Sequence, residues 1–166
     1  MDKITGSMDK AVELKISFDI PPPTPLLKKA VLDLMAHVPR EEVTHFWLYE
    51  KRIGMRDIYP NLPNLKTLNI IYTSLPEVFP GPDTLENGAT LVSLSNITLE
   101  WLTVDNGDWS PLLTFLAHRA STGTPLQMLK VTGASHMCLE IAEDIKGMVE
   151  VSEIRDTDLF CPLGSC

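Results

Sequence analysis

Apolar residues recur along the chain in a short frame, apolar-x-x-apolar-x-apolar, with polar residues between them. The clearest copy lies in PNLPNLKTLNI, where Leu65, Leu68 and Ile70 fill the three apolar positions. Successive side chains on a strand point to opposite faces, so this alternation predicts a short strand with one buried side. The frame begins at positions 11, 43, 65, 94, 126 and 148, although the last copy, with Met148 and Val151, has Glu153 at its third position.

Segments with helical spacing of apolar residues lie between these frames. Thr24-Pro25 is predicted to open a helix, and Ser110-Pro111 a second one that ends in a left-handed cap at Gly123. A third helix is expected near residues 137–149. The apolar residues assigned to the first helix are Leu26, Leu27, Ala30, Val31, Leu34, Met35 and Val38, and those of the third are Ile141, Ala142, Ile145 and Met148. The Pro- and Gly-rich connections after the second and third strands are predicted to hold only a turn of helix or 3₁₀ helix.

Alternating strands and helices predict an α/β protein with a parallel sheet, because parallel strands need crossover connections. Two architectures fit: a curved solenoid and a doubly wound sheet. Central strands of a doubly wound sheet are apolar on both faces, whereas LKTLNII, LSNITLE and LQMLKVT alternate. We therefore predict a leucine-rich-repeat-like solenoid, with short parallel strands in chain order and helices on one face, since the frame spacing of about 22 to 32 residues is near the range of such repeats. Residues 11–155 form this domain of about six irregular units, residues 1–10 a disordered start or cloning remnant, and residues 156–166 a tail.

The third, fifth and seventh positions of each frame point away from the helices and are predicted to form a partner-binding face. Exposed aromatic residues are typical of binding surfaces, so the second strand, with His, Trp and Tyr at these positions, is the most informative. The alternative is that Trp47 packs against the N-terminal segment or another repeat. In the last strand, Glu150 and Ser152 are expected to point outward. The predicted binding residues are His45, Trp47, Tyr49, Thr67, Asn69, Ile71, Asn96, Glu100, Met128 and Lys130.

Charge and cysteine content narrow the classes of partner. A net charge of −8 disfavours nucleic acid and anionic membranes as partners. The start of the sequence has no apolar signal core, and three cysteines are too few for a disulfide framework, so a cytoplasmic or nuclear location is expected. Cys161 and Cys166 have no neighbouring pair of ligands, and we predict no metal and no cofactor.

Candidate chemistry is confined to one polar turn. VTGASH follows the fifth strand, at the end of a strand where α/β enzymes place their sites. The alternative function is therefore a small enzyme or ligand-binding domain with a site near Thr132 to His136. Ser135 and His136 are adjacent in sequence, which is poor geometry for a catalytic pair, so we expect no catalytic residues and a non-enzymatic protein. Arg119 is expected to be an exposed charge or a charge at the C-terminal end of its helix that complements the helix dipole.

The stretch FLAHRASTGTPLQMLKVTGASHMCLEIAEDIKGMVEV resembles the C-terminal repeats of the F-box/leucine-rich-repeat-like proteins of mushroom-forming fungi. The resemblance extends over roughly residues 60 to 155. It implies a non-enzymatic protein-interaction module, the substrate-recognition part of an F-box-type ubiquitin ligase receptor. In that family the F-box recruits a Skp-type adaptor. No F-box pattern precedes residue 11, so adaptor binding is assigned to no residue here. We also expect self-association through the edge of the first strand, residues 11–18.

Overall fold

The computed structural model describes residues 12–17, 24–49, 58–72, 74–79, 91–104, 107–134 and 137–155. The strands in these residues are β1 (Val12–Ser17), β2 (Val43–Tyr49), β3 (Thr67–Ile71), β4 (Asn96–Glu100), β5 (Leu126–Thr132) and β6 (Val149–Arg155). The helices are α1 (Thr24–His37), α2 (Leu75–Val78), α3 (Ser110–Ser121) and α4 (Leu139–Met148), with a 3₁₀ turn at Tyr59–Asn61. The segments predicted as a start and a tail, residues 1–10 and 156–166, lie outside the described residues.

The six strands form one sheet in the order β1-β2-β3-β4-β5-β6, and every neighbouring pair is parallel. The protein is therefore an α/β protein with its strands in chain order, as the frames predicted. The described parts of the connections after β2 and β3 hold a 3₁₀ turn and the one-turn helix α2. The other residues of these connections, 50–57, 73 and 80–90, lie outside the described residues, so the prediction that they hold only such turns stays a prediction.

The apolar frame positions of β2 to β5 build the core of the protein. Each of these twelve side chains is at most 1% exposed: Val43, Phe46, Leu48, Leu65, Leu68, Ile70, Leu94, Ile97, Leu99, Leu126, Leu129 and Val131. They belong to a single apolar cluster that also takes in the buried side chains of the helices. Burial of apolar surface is the main favourable term in folding. The apolar positions of the frame therefore identify the side of each strand that faces the core.

The register predicted for the last strand is wrong by one residue. In the structure Leu126 pairs with Val149, Leu129 with Ser152 and Val131 with Ile154. Val151 is therefore on the outer side and 53% exposed, and Ser152, expected outward, is on the inner side. A one-residue slip exchanges the two faces of a strand, and here Ile154 takes the apolar position that the predicted frame gave to Glu153.

Helix α3 has its predicted end but a different cap at its start. Gly123 has a φ of 72°, the left-handed conformation expected after the helix. At the other end the N-cap position is Trp109, not Ser110, and its side chain makes no capping hydrogen bond. Asp108, one residue earlier, supplies the oxygen instead: Ser110 donates its backbone N–H to Asp108 Oδ1 over 3.0 Å. Hydrogen bonds from the Ser110 hydroxyl and backbone lower the pKa of Asp108 from its usual value.

Helix α1 buries a narrower stripe than the sequence predicted. Leu27, Val31 and Met35, each four residues apart, are buried. Leu26 and Leu34 remain 60% and 44% exposed, and Ala30 is exposed as well. Residues at this spacing share one face of a helix, and the core covers only the face with Val31. In α4, by contrast, Ala142 and Ile145 are buried as predicted.

Arg119 lies in the last turn of α3, as one alternative predicted, but it is buried, so the alternative of an exposed charge is wrong. Its side chain is 5% exposed and lies beneath the turn that leads into β4. Nη1 donates to the carbonyl oxygens of Leu91 and Val92, and Nη2 donates to that of Leu94. Burial lowers the pKa of the guanidinium from its usual value. Arg119 thereby connects α3 to this turn through three backbone carbonyls.

Candidate interaction surface

The parallel registers align alternate positions of the six strands in three rows, on the side of the sheet opposite the apolar frame positions. We call these eighteen residues the open face. From β1 to β6, the first row is Glu13, His45, Thr67, Asn96, Met128 and Val151; the second is Lys15, Trp47, Asn69, Thr98, Lys130 and Glu153; the third is Ser17, Tyr49, Ile71, Glu100, Thr132 and Arg155. The rows run across the strands, so one extended partner could contact several strands at once.

All ten predicted binding residues lie on the open face. The first row holds His45, Thr67, Asn96 and Met128, the second holds Trp47, Asn69 and Lys130, and the third holds Tyr49, Ile71 and Glu100. The structure therefore brings these residues together on one surface, while their role in binding stays a prediction.

Two aromatic rings and a lysine form the most distinctive group on this face. Trp47 and Tyr49 are stacked, with ring centroids 6.3 Å apart and ring planes 8° from parallel. The Lys15 ammonium, from the neighbouring strand β1, lies 5.8 Å from the Trp47 ring centroid and 4.9 Å from that of Tyr49. A cation at this distance is attracted to the ring face. Trp47 is half-buried, and Lys15 accounts for part of its cover.

Asn69 is less accessible than the sequence predicted for a binding residue. It is only 5% exposed, although it occupies the second row beside Trp47. The side chain of Asn69 is shorter than the neighbouring Trp47 side chain and extends less far from the sheet, which limits its direct contact with a partner. We therefore correct Asn69 from an exposed contact to a buried polar residue on the floor of the open face.

The charges on the open face are only partly paired. Arg155 Nη2 lies 3.3 Å from Glu153 Oε2, which joins two residues of β6. Glu100 and Lys130 form no ion pair with any described residue. Both charges therefore remain for a partner, Glu100 in the third row and Lys130 in the second.

Two exposed aromatic residues next to the third row escaped the sequence analysis. Tyr72 and Trp101 follow the last residues of β3 and β4, and they are 58% and 53% exposed. Strict alternation would turn the residue after the third row toward the core. Their φ values of 59° and 54° interrupt the alternation instead. The available signal was an aromatic residue at the same place in two successive units, in LNIIY and ITLEW.

The alternative site at the end of β5 is described only in part. Thr132 is in the third row, and its buried Oγ1 has no hydrogen-bond partner among the described residues. Ser135 and His136 lie outside the described residues, as do Cys161 and Cys166. The described strand order contains no reversal, which is the feature that places ligand crevices in doubly wound sheets.

Within the described ranges, no group of three or more His, Cys, Asp or Glu side chains is arranged to hold a metal ion. None of the described helices is long and apolar enough to cross a bilayer.

Comparison with known proteins identifies no relative of this chain: no family model, curated protein or solved structure matches it.

Proposed function

We propose that this chain is a non-enzymatic protein-interaction module built as a leucine-rich-repeat-like solenoid. In this proposal the helices cover one side of the sheet, and the open face lines a concave surface that binds a protein partner. Such solenoids have quasi-repeated units that each contact only their neighbours.

Repeated backbone contacts at the amino ends of the central strands support the solenoid. At the amino end, Ser95 and Asn96 both donate to the Lys66 oxygen, and Gln127 and Met128 both donate to the Ser95 oxygen. The same pair of hydrogen bonds therefore occurs one unit apart. Repeated structural units pack against their neighbours in the same way, so they are expected to make the same hydrogen bonds at the same positions.

The feature that carries the proposed binding role is the composition of the open face. It presents a stacked Trp47–Tyr49 pair, together with charges that are in no ion pair with a described residue, on a regular, three-row surface. Trp and Tyr dominate the binding energy of many interfaces. The inner sides of the same strands are covered by the core, so in the described part of the chain the open face is the side of the sheet that can contact a partner.

We further propose that the module is the substrate-recognition part of an F-box-type ubiquitin ligase receptor in the cytoplasm or nucleus. This part of the proposal rests on the sequence resemblance alone. Its test is affinity purification, from the native cells, of the chain together with whatever its gene encodes upstream. Recovery of a Skp-type adaptor and a cullin would support it. Their absence, with other proteins bound to the open face, would refute the ligase role and leave the interaction role intact.

A matched pair of photo-crosslinkers tests the interaction role. Thr98 lies in the middle row of the open face, and Thr114 is exposed on α3. A benzophenone amino acid replaces one or the other in otherwise identical protein, which is irradiated in native cells. We expect a discrete crosslinked partner from the Thr98 site and none from the Thr114 site. Equal capture at both sites, capture only from α3, or no capture at all would contradict binding through the open face.

Replacement of Trp47 distinguishes binding from packing. Trp47→Ala removes the stacked ring but leaves the inner side of β2 unchanged, because Trp47 points to the open face. We expect the Thr98 crosslink to fall at least tenfold, in line with losses of about 2 kcal/mol for aromatic hot spots, while the melting temperature changes little. A large decrease in melting temperature would assign Trp47 to the core.

A further inference from the structure

The turns that follow β3, β4 and β5 repeat one unusual backbone geometry. Tyr72, Trp101 and Gly133 all have positive φ values, of 59°, 54° and 68°. Each donates its backbone N–H across to the next strand: Tyr72 to the Glu100 oxygen, Trp101 to the Thr132 oxygen and Gly133 to the Arg155 oxygen. The three residues therefore form a fourth row, beyond the third row of the open face, that continues the hydrogen-bond ladder by one step.

Two of these three positions hold aromatic residues where glycine would be the unstrained choice. A bulky residue with a positive φ is a conformational outlier that costs free energy. Tyr72 and Trp101 do not offset that cost by burial, because more than half of each side chain is exposed. Strained residues persist most often at functional sites, and here both strained side chains are accessible to a partner.

The Trp101 ring is held against Gly133. A Cβ atom built on Gly133 would lie 2.7 Å from Trp101 Cε3, 3.0 Å from Cδ2 and 3.1 Å from Cζ3. The indole therefore occupies the space that any larger residue at position 133 would need. This contact fixes the ring in place while leaving the side chain 53% exposed. We call Tyr72, Trp101 and the supporting Gly133 the aromatic ledge.

A carboxylate lies next to the aromatic ledge. Glu100 immediately precedes Trp101, belongs to the third row and is in no ion pair with a described residue. The open face already contains a cation over aromatic rings, since Lys15 lies over Trp47 and Tyr49. A net charge of −8 further favours a basic partner.

We propose that the aromatic ledge binds an arginine side chain of the protein partner, with its guanidinium stacked on the Trp101 indole and paired with the Glu100 carboxylate. A planar guanidinium combines stacking on an aromatic ring with two-pronged hydrogen bonding to a carboxylate, which a lysine ammonium does not. This inference rests on the proposed function, because it names the chemistry that the partner brings to the open face.

Nuclear magnetic resonance with short peptides tests this directly. The probe is capped Ala-Arg-Ala, titrated at low ionic strength while the indole Nε1–H signal of Trp101 is followed; Trp101→Phe assigns that signal. The comparison peptides carry citrulline, a neutral isostere of arginine, or leucine. We expect a saturable shift with the arginine peptide and binding at least threefold weaker with citrulline. Equal binding of the citrulline or leucine peptide would refute a cation site and indicate an apolar one.

Two variants distinguish loss of arginine binding from loss of stability. Glu100→Gln keeps the shape of the side chain and is expected to weaken the arginine peptide at least threefold. Trp101→Gly removes the ring and relieves the positive φ. Peptide binding to this variant is followed through the backbone amide signal of Glu100, since the indole signal is gone; binding should disappear while the melting temperature stays equal or rises. A marked decrease in melting temperature, or undiminished binding in either variant, would overturn the proposal.

Two glycines provide a matched control for the position of the ring. Gly123 has a φ of 72°, close to that of Gly133, but a Cβ atom there would meet nothing within 4 Å. Gly123→Ala and Gly133→Ala therefore impose similar backbone strain, and only the second displaces the Trp101 ring. We expect Gly133→Ala alone to shift the Trp101 signal and weaken the arginine peptide; equal behaviour of the two variants would contradict the ledge.

The crosslinker at Thr98 distinguishes failure of this inference from failure of the proposed function. If Thr98 captures a partner and the arginine peptide does not bind, the arginine assignment is wrong and the interaction role stands. If the peptide binds at Trp101 and Thr98 captures nothing, the ledge stands as an arginine site and the proposed role of the open face is wrong.

Discussion

Replacement of Arg119 by methionine tests the most unexpected contact in the core. The guanidinium donates to the buried carbonyls of Leu91 and Leu94 and, over 3.3 Å, to that of Val92. Methionine preserves much of the length and the apolar stem of arginine while removing every donor. After the substitution, the Leu91 oxygen still accepts the Leu94 N–H over 3.0 Å, but the Leu94 oxygen loses its guanidinium donor.

The expected cost follows from the two bonds to Leu91 and Leu94. A hydrogen bond to a charged group contributes about 1.5–3 kcal/mol, so losing both destabilises by roughly 3–6 kcal/mol. The Nε of Arg119 is buried without a hydrogen-bond partner among the described residues, and an unsatisfied buried donor destabilises a protein by about 1–3 kcal/mol. Removing the guanidinium removes this penalty, which offsets part of the lost hydrogen-bond energy. We therefore expect Arg119→Met to lower the free energy of unfolding by about 2–4 kcal/mol.

Urea denaturation measures this loss. With a slope of about 2 kcal/mol/M, the unfolding midpoint should decrease by about 1–2 M. Arg40→Met is the control, since Arg40 is exposed and donates over 2.9 Å to Asn61 Oδ1 and 3.2 Å to the Met35 oxygen. Exposed substitutions usually change stability by less than about 0.5 kcal/mol. An unchanged midpoint for Arg119→Met, or equal shifts in both variants, would show that the burial of Arg119 contributes nothing to the fold.

Three further predictions concern a cap, a buried hydroxyl and the sheet edge. Asp108→Ala should lower the melting temperature at pH 7 by a few degrees. Folding lowers the pKa of Asp108, so the ionised carboxylate stabilises the folded protein fully above its unfolded pKa of about 3.9. That stabilisation is lost as the pH falls through the folded pKa, and the difference in melting temperature between the two proteins should therefore vanish in acid. A difference in melting temperature that does not depend on pH would contradict the cap. Tyr59→Phe removes the hydroxyl that donates to the buried Val78 oxygen and should cost about 1–3 kcal/mol in a urea melt; an unchanged midpoint would refute that estimate. Strand β1 is at the edge of the sheet, so we expect the protein to self-associate as its concentration rises, measured by sedimentation velocity. The backbone amides of β1 should then become more protected from hydrogen exchange. A protein that stays monomeric at high concentration would contradict this prediction.

The sequence alone predicted the central strands because their signal is local. Burial on one side of a strand requires apolar residues at every second position, and β2 to β5 keep this alternation without a competing frame. The sequence also predicted which ten residues share the open face, since residues on the same side of aligned strands must face the same way. Gly123 was predicted for the same local reason: few other residues adopt a positive φ after a helix without strain.

The tertiary structure decided the features that depend on a neighbouring strand or turn. In β6, apolar residues at 148, 149, 151 and 154 allow two frames, and only pairing with β5 selects the one that packs the partly buried Ile154 against the core. The burial of Arg119 depends on a turn 25 to 28 residues away, which helix periodicity does not describe. Likewise, Trp101 is turned out of the core by a hydrogen bond to the next strand and by the space over Gly133. The sequence thus determined which side of each strand is apolar, because that preference is set by each side chain's own transfer from water. The structure determined register, the burial of charge and the ledge, because each of these depends on groups that are brought together only when the chain folds.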